Sequence, residues 1–240
     1  MDLFAPSNLP GVGMGDLRAV VAILGAVGIA VTSGALLAEG AIGTIVFVVG
    51  ALAVLQEKPD FGGSVPGAVV ILAALLLLAA ARLLLEQRAR REDVALAGAA
   101  KDAPETKAAQ GQIERRRRFA RGLTLVAVAL GSGVVGFAWA EWNEVPFTLQ
   151  DGEAWSGLVL GVVAGAIGGD AIWRFMSGAV RAGGSAPVMG AIVAAVVLAL
   201  NTASVYVPFA GGVVLLLFAV LAIRLRRRSS QKYAGLRILG

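Results

Sequence analysis

The sequence predicts an all-α integral membrane protein, a polytopic bundle of about seven transmembrane helices. Three observations lead there. Of 240 residues, 58% are apolar and only 15% are charged, which is not a soluble balance. The charges are segregated: residues 19–38, 67–81, 122–140 and 187–223 hold no Asp, Glu, Lys or Arg. A hydrocarbon core about 30 Å thick takes roughly 20 apolar residues at 1.5 Å per residue, and these stretches meet or approach that length. No period-two alternation of a barrel is present, so helices are left to satisfy the backbone in lipid.

The first helix is expected over about 19–38 and the second over about 41–55, with Glu39-Gly40 as the turn between them. The second is short for a span. After the turn-rich Gln56-Glu57-Lys58-Pro59-Asp60, a third helix covers about 66–85, with Pro66 suited to a first turn. Residues 87–121 are polar and charged, with Lys101-Asp102-Ala103-Pro104-Glu105 breaking the middle, and only the flanks are expected to continue the adjoining helices. This segment divides the chain into a three-helix unit (1–86) and a four-helix unit (122–223), followed by a basic tail (224–240). No residue pattern shared by the two halves marks an inverted repeat.

The second unit is expected to hold helices at about 122–140, 154–173, 187–200 and 209–223. The last two belong to one uncharged run of 37 residues, nearly two spans long, which must fold back. Asn201-Thr202-Ala203-Ser204, with Pro208 and Gly211-Gly212, supplies the polar and breaking residues for that turn.

Cations set the expected orientation. Residues 86–121 hold ten Lys or Arg, the 174–186 loop holds Arg174 and Arg181 and no acid, and the tail holds six basic residues and no acid. The 141–153 loop holds Glu141, Glu144, Asp151 and Glu153 and no cation. The positive-inside rule puts the first three in the cytoplasm and the last outside, with the N-terminus outside and the C-terminus inside. Trp139, Trp142 and Trp155, with Tyr206, are expected to form the outer interfacial belt. The N-terminal stretch has no basic region before its first apolar run, so the first helix reads as retained. The Ala- and Gly-rich composition points to a prokaryotic plasma membrane.

With no cysteine and no histidine, the chain lacks disulfides, thiolate chemistry, histidine metal sites and any Ser-His or Cys-His pair. Gly131-Ser132-Gly133 is similar to the serine turn of intramembrane serine proteases, which need a histidine base. Gly168-Gly169-Asp170 is similar to the motif of intramembrane aspartyl proteases, but Ile167 stands at its first glycine position and no second intramembrane Asp is present to share a proton. No catalytic residue, cofactor or metal is expected. The formal net charge of +5 reads as a topology signal, not as a nucleic-acid footprint.

Three constellations remain. Gly157, Gly161, Gly165 and Gly169 repeat at a spacing of four on one helix, a face on which another helix can approach closely. Ala22, Ala26, Ala30, Gly34 and Ala38, and the shorter Ser132, Gly136 and Ala140, repeat it more loosely. Asp170 with Arg174 one turn later forms an i,i+4 pair, read as an interfacial ion pair or as a proton or ion site. With Asn201 it makes up the candidate transport set. Arg115, Arg116, Arg117, Arg118 and Arg121 form a cationic cluster that attracts anionic lipid headgroups.

Two functional readings follow. The first is a non-enzymatic subunit or scaffold of a membrane complex, held by its small-residue faces to another membrane protein, with its basic surface toward headgroups. The second is a small transporter or channel, alone or as a homo-oligomer, using Asp170 and the polar turn at 201–204.

Overall fold

The structure, a computed structural model, describes residues 14–57, 65–96, 104–142, 153–183 and 185–234. Seven helices follow one another: α1 (Met14–Glu39), α2 (Ala41–Glu57), α3 (Val65–Leu96), α4 (Pro104–Trp142), α5 (Glu153–Arg181), α6 (Ala186–Tyr206) and α7 (Pro208–Ala234). No strand occurs among the described residues. Five of these helices, α3 to α7, are long and apolar enough to cross a membrane, whereas the apolar parts of the first two, Ile23–Glu39 and Ala41–Ala53, are shorter. The chain is a multi-helix membrane protein.

α1 and α2 run antiparallel across a single linking residue, and contacts show the same for α3 with α4, where Leu75 is near Gly131 and Glu92 meets Arg116, and for α4 with α5, where Gly136 meets Gly157 and Val128 meets Gly169. Glu39 ends α1, Gly40 takes φ +139°, which favours glycine, and α2 begins at the next residue. The Glu39 carboxylate then accepts a bond from the Gly43 N–H at 2.7 Å, satisfying one of the free donors in the first turn of α2. At the end of α5, Gly183 plays the same part with φ +89°.

α1 is the hub. It packs against α5, α4, α7, α6 and α2, and Ala30, Val31, Thr32 and Ala35 have no exposed surface at all. The outer helices show the opposite pattern. Val70 and Leu77 on α3, Ile45 and Val49 on α2, Ile192 and Val196 on α6, and Val213 and Leu216 on α7 are exposed. An apolar exterior is stable where the solvent is hydrocarbon. Because lipid tails are as apolar as leucine, close packing has to hold the helices together, and small residues permit it. A Cβ on Gly34 would fall on the backbone of Gly165, one on Gly28 on the Cα of Gly211, and one on Gly136 on the carbonyl of Gly157.

The structure departs from the sequence expectations at four places. Asn201, Thr202, Ala203 and Ser204 lie inside α6 and form no turn. The hydroxyls of Thr202 and Ser204 bond the carbonyls of Leu198 and Leu200 one turn back, at 3.0 and 2.9 Å, so they need no turn to be satisfied. The break falls at Val207, because Pro208 lacks an N–H and opens α7. The segment 87–121 is mostly helix: α3 continues to Leu96 and α4 begins at Pro104, where a proline fits the first helical position. Lys101, Asp102 and Ala103 lie outside the described residues. Within the two extensions Ala89 and Ile113 are buried, and Arg116 pairs with Glu92 across them.

That segment also separates the chain in sequence and not in space, since α1 sits among α4 to α7 instead of with α2 and α3 alone. Finally, Trp139 is no part of an outer belt. It is buried against Ala26 and Ile29, with its ring beside Gly25. The side chains of Trp142 and Trp155 lie outside the described residues, while Tyr206 is exposed.

The glycine crossings predict a sharp contrast. A Cβ at Gly161 would meet the Ser132 carbonyl, which belongs to backbone and cannot swing aside, whereas Gly178 has open space around it. Gly161→Val is expected to destabilise the bundle by about 1–3 kcal/mol through overpacking, and Gly178→Ala to leave it unchanged or stabilise it by up to about 1 kcal/mol. Unfolding titrations of the purified protein in mixed micelles read both, and equal effects at the two positions would count against the close crossing.

Candidate functional site

The charged side chains described within the bundle gather toward one end, where α1, α5 and α7 approach their C-termini, α2 and α6 begin, and α3 and α4 run on past. Asp170 lies on α5, and its neighbours Gly169 and Ala171 are buried while it is partly exposed. Its Oδ1 accepts from Arg174 Nε at 2.9 Å, the pair at i,i+4. Its Oδ2 accepts from Arg226 of α7, with Nε at 3.0 Å and the second nitrogen at 2.9 Å. Both carboxylate oxygens are therefore engaged, and Arg226 ties α7 to α5. The fork geometry of a guanidinium suits such a contact.

One turn from Asp170, Trp173 receives two cations. The guanidinium of Arg82 from α3 stands 5.4 Å from its ring centroid, and that of Arg121 from α4 stands 5.3 Å away. Arg82 is further fixed by Glu86, at 2.9 Å, and by the carbonyl of Ala38 at the end of α1, at 3.4 Å. A cation is well placed at a helix C-terminus, where carbonyls have no intrahelical partner. Five helices thus meet through four contacts: Asp170 with Arg226, Arg82 and Arg121 with Trp173, and Arg82 with the Ala38 carbonyl. The sixth, α6, is held by Glu39, whose carboxylate fills the space over Gly190.

Deeper in the bundle, Asn201 on α6 meets Thr32 on α1. Thr32 Oγ1 lies 2.6 Å from Asn201 Oδ1 and 2.9 Å from the carbonyls of both Gly28 and Ile29. Its single proton serves one of these acceptors at a time. Ser132 and Thr124 on α4 bond the carbonyls of Val128 and Ala120 one turn back. Among the described residues no buried side-chain nitrogen or oxygen lacks a partner.

The residues singled out from sequence are distributed as follows. Gly157, Gly161, Gly165 and Gly169 are buried where α5 crosses α4 and α1: Gly161 opposes Ser132, Gly133 and Gly136, Gly165 opposes Ser132 and Ala30, and Gly169 opposes Val128 and Ala38. The face is filled by this chain's own helices. Asp170 and Arg174 are together, while Asn201 is elsewhere, on α6 against α1. Of the cationic cluster, Arg116 pairs with Glu92, Arg118 pairs with Glu114 at 3.5 Å, and Arg121 stacks on Trp173. Arg115 and Arg117 are exposed.

Sequence reasoning missed Arg226, Arg82 and Trp173 as one assembly, and Thr32 as the partner of Asn201. The run 224–228 signalled only that cations sit at this end. Among the described residues no three acidic side chains gather as metal ligands do.

The Asp170 assembly predicts a measurable coupling across α5 and α7. In a double-mutant cycle of Asp170→Asn and Arg226→Gln, the partly exposed pair is expected to contribute about 0.5–1 kcal/mol, falling as salt is raised. A coupling of zero at low salt would remove the clamp. No family model matches this chain, and no curated protein and no solved structure matches it.

Proposed function

We propose that this chain is a non-enzymatic, multi-pass subunit or scaffold of a membrane complex. In this reading it crosses a prokaryotic plasma membrane seven times, with its N-terminus outside and the charged end of the bundle in the cytoplasm. One observation carries the proposal. The polar side chains described in the bundle bond within the chain: Thr32 to Asn201 and to its own helix, Ser132, Ser204 and Thr124 to carbonyls one turn back, and Asp170, toward the charged end, to two arginines. Coupled transporters instead hold ionisable groups or broken helices ready for a solute near the midplane.

What the chain offers a partner lies elsewhere. The 32 residues of α3 and 39 of α4 correspond to about 48 and 58 Å of helix, well beyond a core of about 30 Å. Their paired ends form a basic arm reaching past the bilayer. On the outer face of α6, Ala191, Ala195 and Ala199 are exposed at a spacing of four, which suits contact with a further helix. The glycine stripe of α5 serves the chain's own assembly.

The transporter reading keeps one point in its favour. Thr32 Oγ1, Asn201 Oδ1 and the Gly28 and Ile29 carbonyls bring four oxygens together between α1 and α6.

Gentle extraction of the tagged protein from its native membrane, followed by mass and composition analysis, is expected to recover a second protein in fixed stoichiometry. A lone monomer or homo-oligomer would sink the subunit reading, and liposome flux compared between wild type and Asp170→Asn would then test transport. Orientation has its own readout, because the chain has no cysteine of its own. Lys101→Cys is expected to react with a membrane-impermeant maleimide only in opened membranes, and Gln150→Cys in intact cells. The reverse pattern would invert the topology.

A further inference from the structure

Two long side chains converge on Trp173 from helices other than its own. α3 does not pack on α5, yet Arg82 of α3 reaches the ring of Trp173, and Arg121 reaches it from α4. The two arginines differ in what they have left to give. Arg82 is largely buried, with its Nε on Glu86 and a terminal nitrogen on the Ala38 carbonyl. Arg121 is exposed and pairs with no carboxylate among the described residues.

A guanidinium whose charge rests over a ring, with no carboxylate on its nitrogens, keeps its N–H donors for a ligand, and their planar fork matches two phosphate oxygens. The charge left over is that of Arg121, since Arg82 is paired with Glu86 and Arg121 with no described carboxylate. The apolar surface needed beside such a fork is also in place. Leu125, one turn along α4 from Arg121, and Phe119 are each 62% exposed, and the lipid-facing apolar run of α4 begins at this level.

We infer that Arg121 and Trp173 form a binding site for the phosphate of an anionic phospholipid, with Arg82 supplying charge behind it and the acyl chains lying along Leu125. A basic pocket between helix ends at the membrane surface is the setting in which such headgroups bind. A zwitterionic lipid gains less, because its ammonium group meets a site of net positive charge. The inference deepens the basic-surface part of the proposed function but needs no partner protein. Absence of a co-purifying subunit leaves it standing, and loss of lipid selectivity leaves the subunit reading standing.

The test uses the full chain in bilayers of phosphatidylcholine and phosphatidylglycerol, released for native mass spectrometry, with lipid retained per protein as the readout. Wild type is expected to keep phosphatidylglycerol selectively. Arg121→Gln is expected to lower its occupancy about tenfold, the loss of roughly one charge-assisted bond. Trp173→Leu, which removes the ring that orients Arg121, is expected to lower it several-fold. Arg224→Gln takes one charge from the exposed cationic run of α7 and is expected to change nothing. Equal loss in Arg121→Gln and Arg224→Gln would reduce the effect to diffuse charge and overturn the site, as would full retention in Arg121→Gln. Displacement of the lipid by excess inorganic phosphate would assign the site to a free anion and overturn the lipid reading.

Discussion

Inside a bilayer, apolar side chains gain nothing by hiding from lipid, so a helical bundle has to be held by contact at short range and by bonds between its few polar groups. α1 is where this constraint is felt most. It touches five other helices and has no lipid-facing side along its central turns, so each neighbour must approach a different face. Glycine and alanine are distributed accordingly. Gly25 receives Trp139, Gly28 receives α7 at Gly211, and Gly34 receives α5 at Gly165. At each point the missing Cβ is what lets two backbones, or a backbone and an indole, occupy the space. The glycines of α5 belong to this system: they let α5 lie against α1 and α4 at once.

Charge is handled by a second rule. An ion at the centre of a bilayer is expensive, and one at the end of a helix can be wet on one side and paired on the other. The ion pairs described within the bundle follow it. Asp170 takes Arg174 from its own helix and Arg226 from α7, and Arg82 lies between Glu86, the last carbonyls of α1 and Trp173. Such contacts are partly solvated and individually modest. Their arrangement matters more than their strength, because they join α1, α3, α4, α5 and α7 at one level.

The legible part of the sequence was the part written in composition. Stretches without charge marked the helices, and their flanking cations marked the ends. Spacing within one helix was legible too, since Asp170 and Arg174, or Gly157 and Gly161, share a face by geometry alone. Contacts between helices were not. In a soluble helix the polar face shows which side is outward, but α1 and α3 are apolar all round, and one is the hub while the other lies at the edge. Nothing within α6 announces that Asn201 will find Thr32 and therefore need no turn. Trp139 likewise has the composition of an interfacial residue and the position of a core one, because Gly25 opposes it. Arg226 stood in a cationic run whose members look alike until a carboxylate lies beside one of them.

The same packing bears on how much the bundle can move. Sliding α1 along its axis by one turn, about 5.4 Å, would bring Leu24 or Thr32 to the crossing that Gly28 makes with Gly211, and Ala30 or Ala38 to the crossing of Gly34 with Gly165. Each of these residues carries a Cβ, and the opposing atoms are backbone. The hub therefore cannot shift in register unless α5 and α7 first separate from it, against the Asp170–Arg226 contact that joins those two helices. A transporter that rocks one set of helices past another needs an interface with two good registers, and the glycine crossings of α1 provide one. The parts free of this restriction are the ends of α3 and α4, which extend past the bundle and meet it at Trp173. Contacts made on that arm reach a rigid body, which suits a chain that holds other molecules in place better than one that passes solutes through itself.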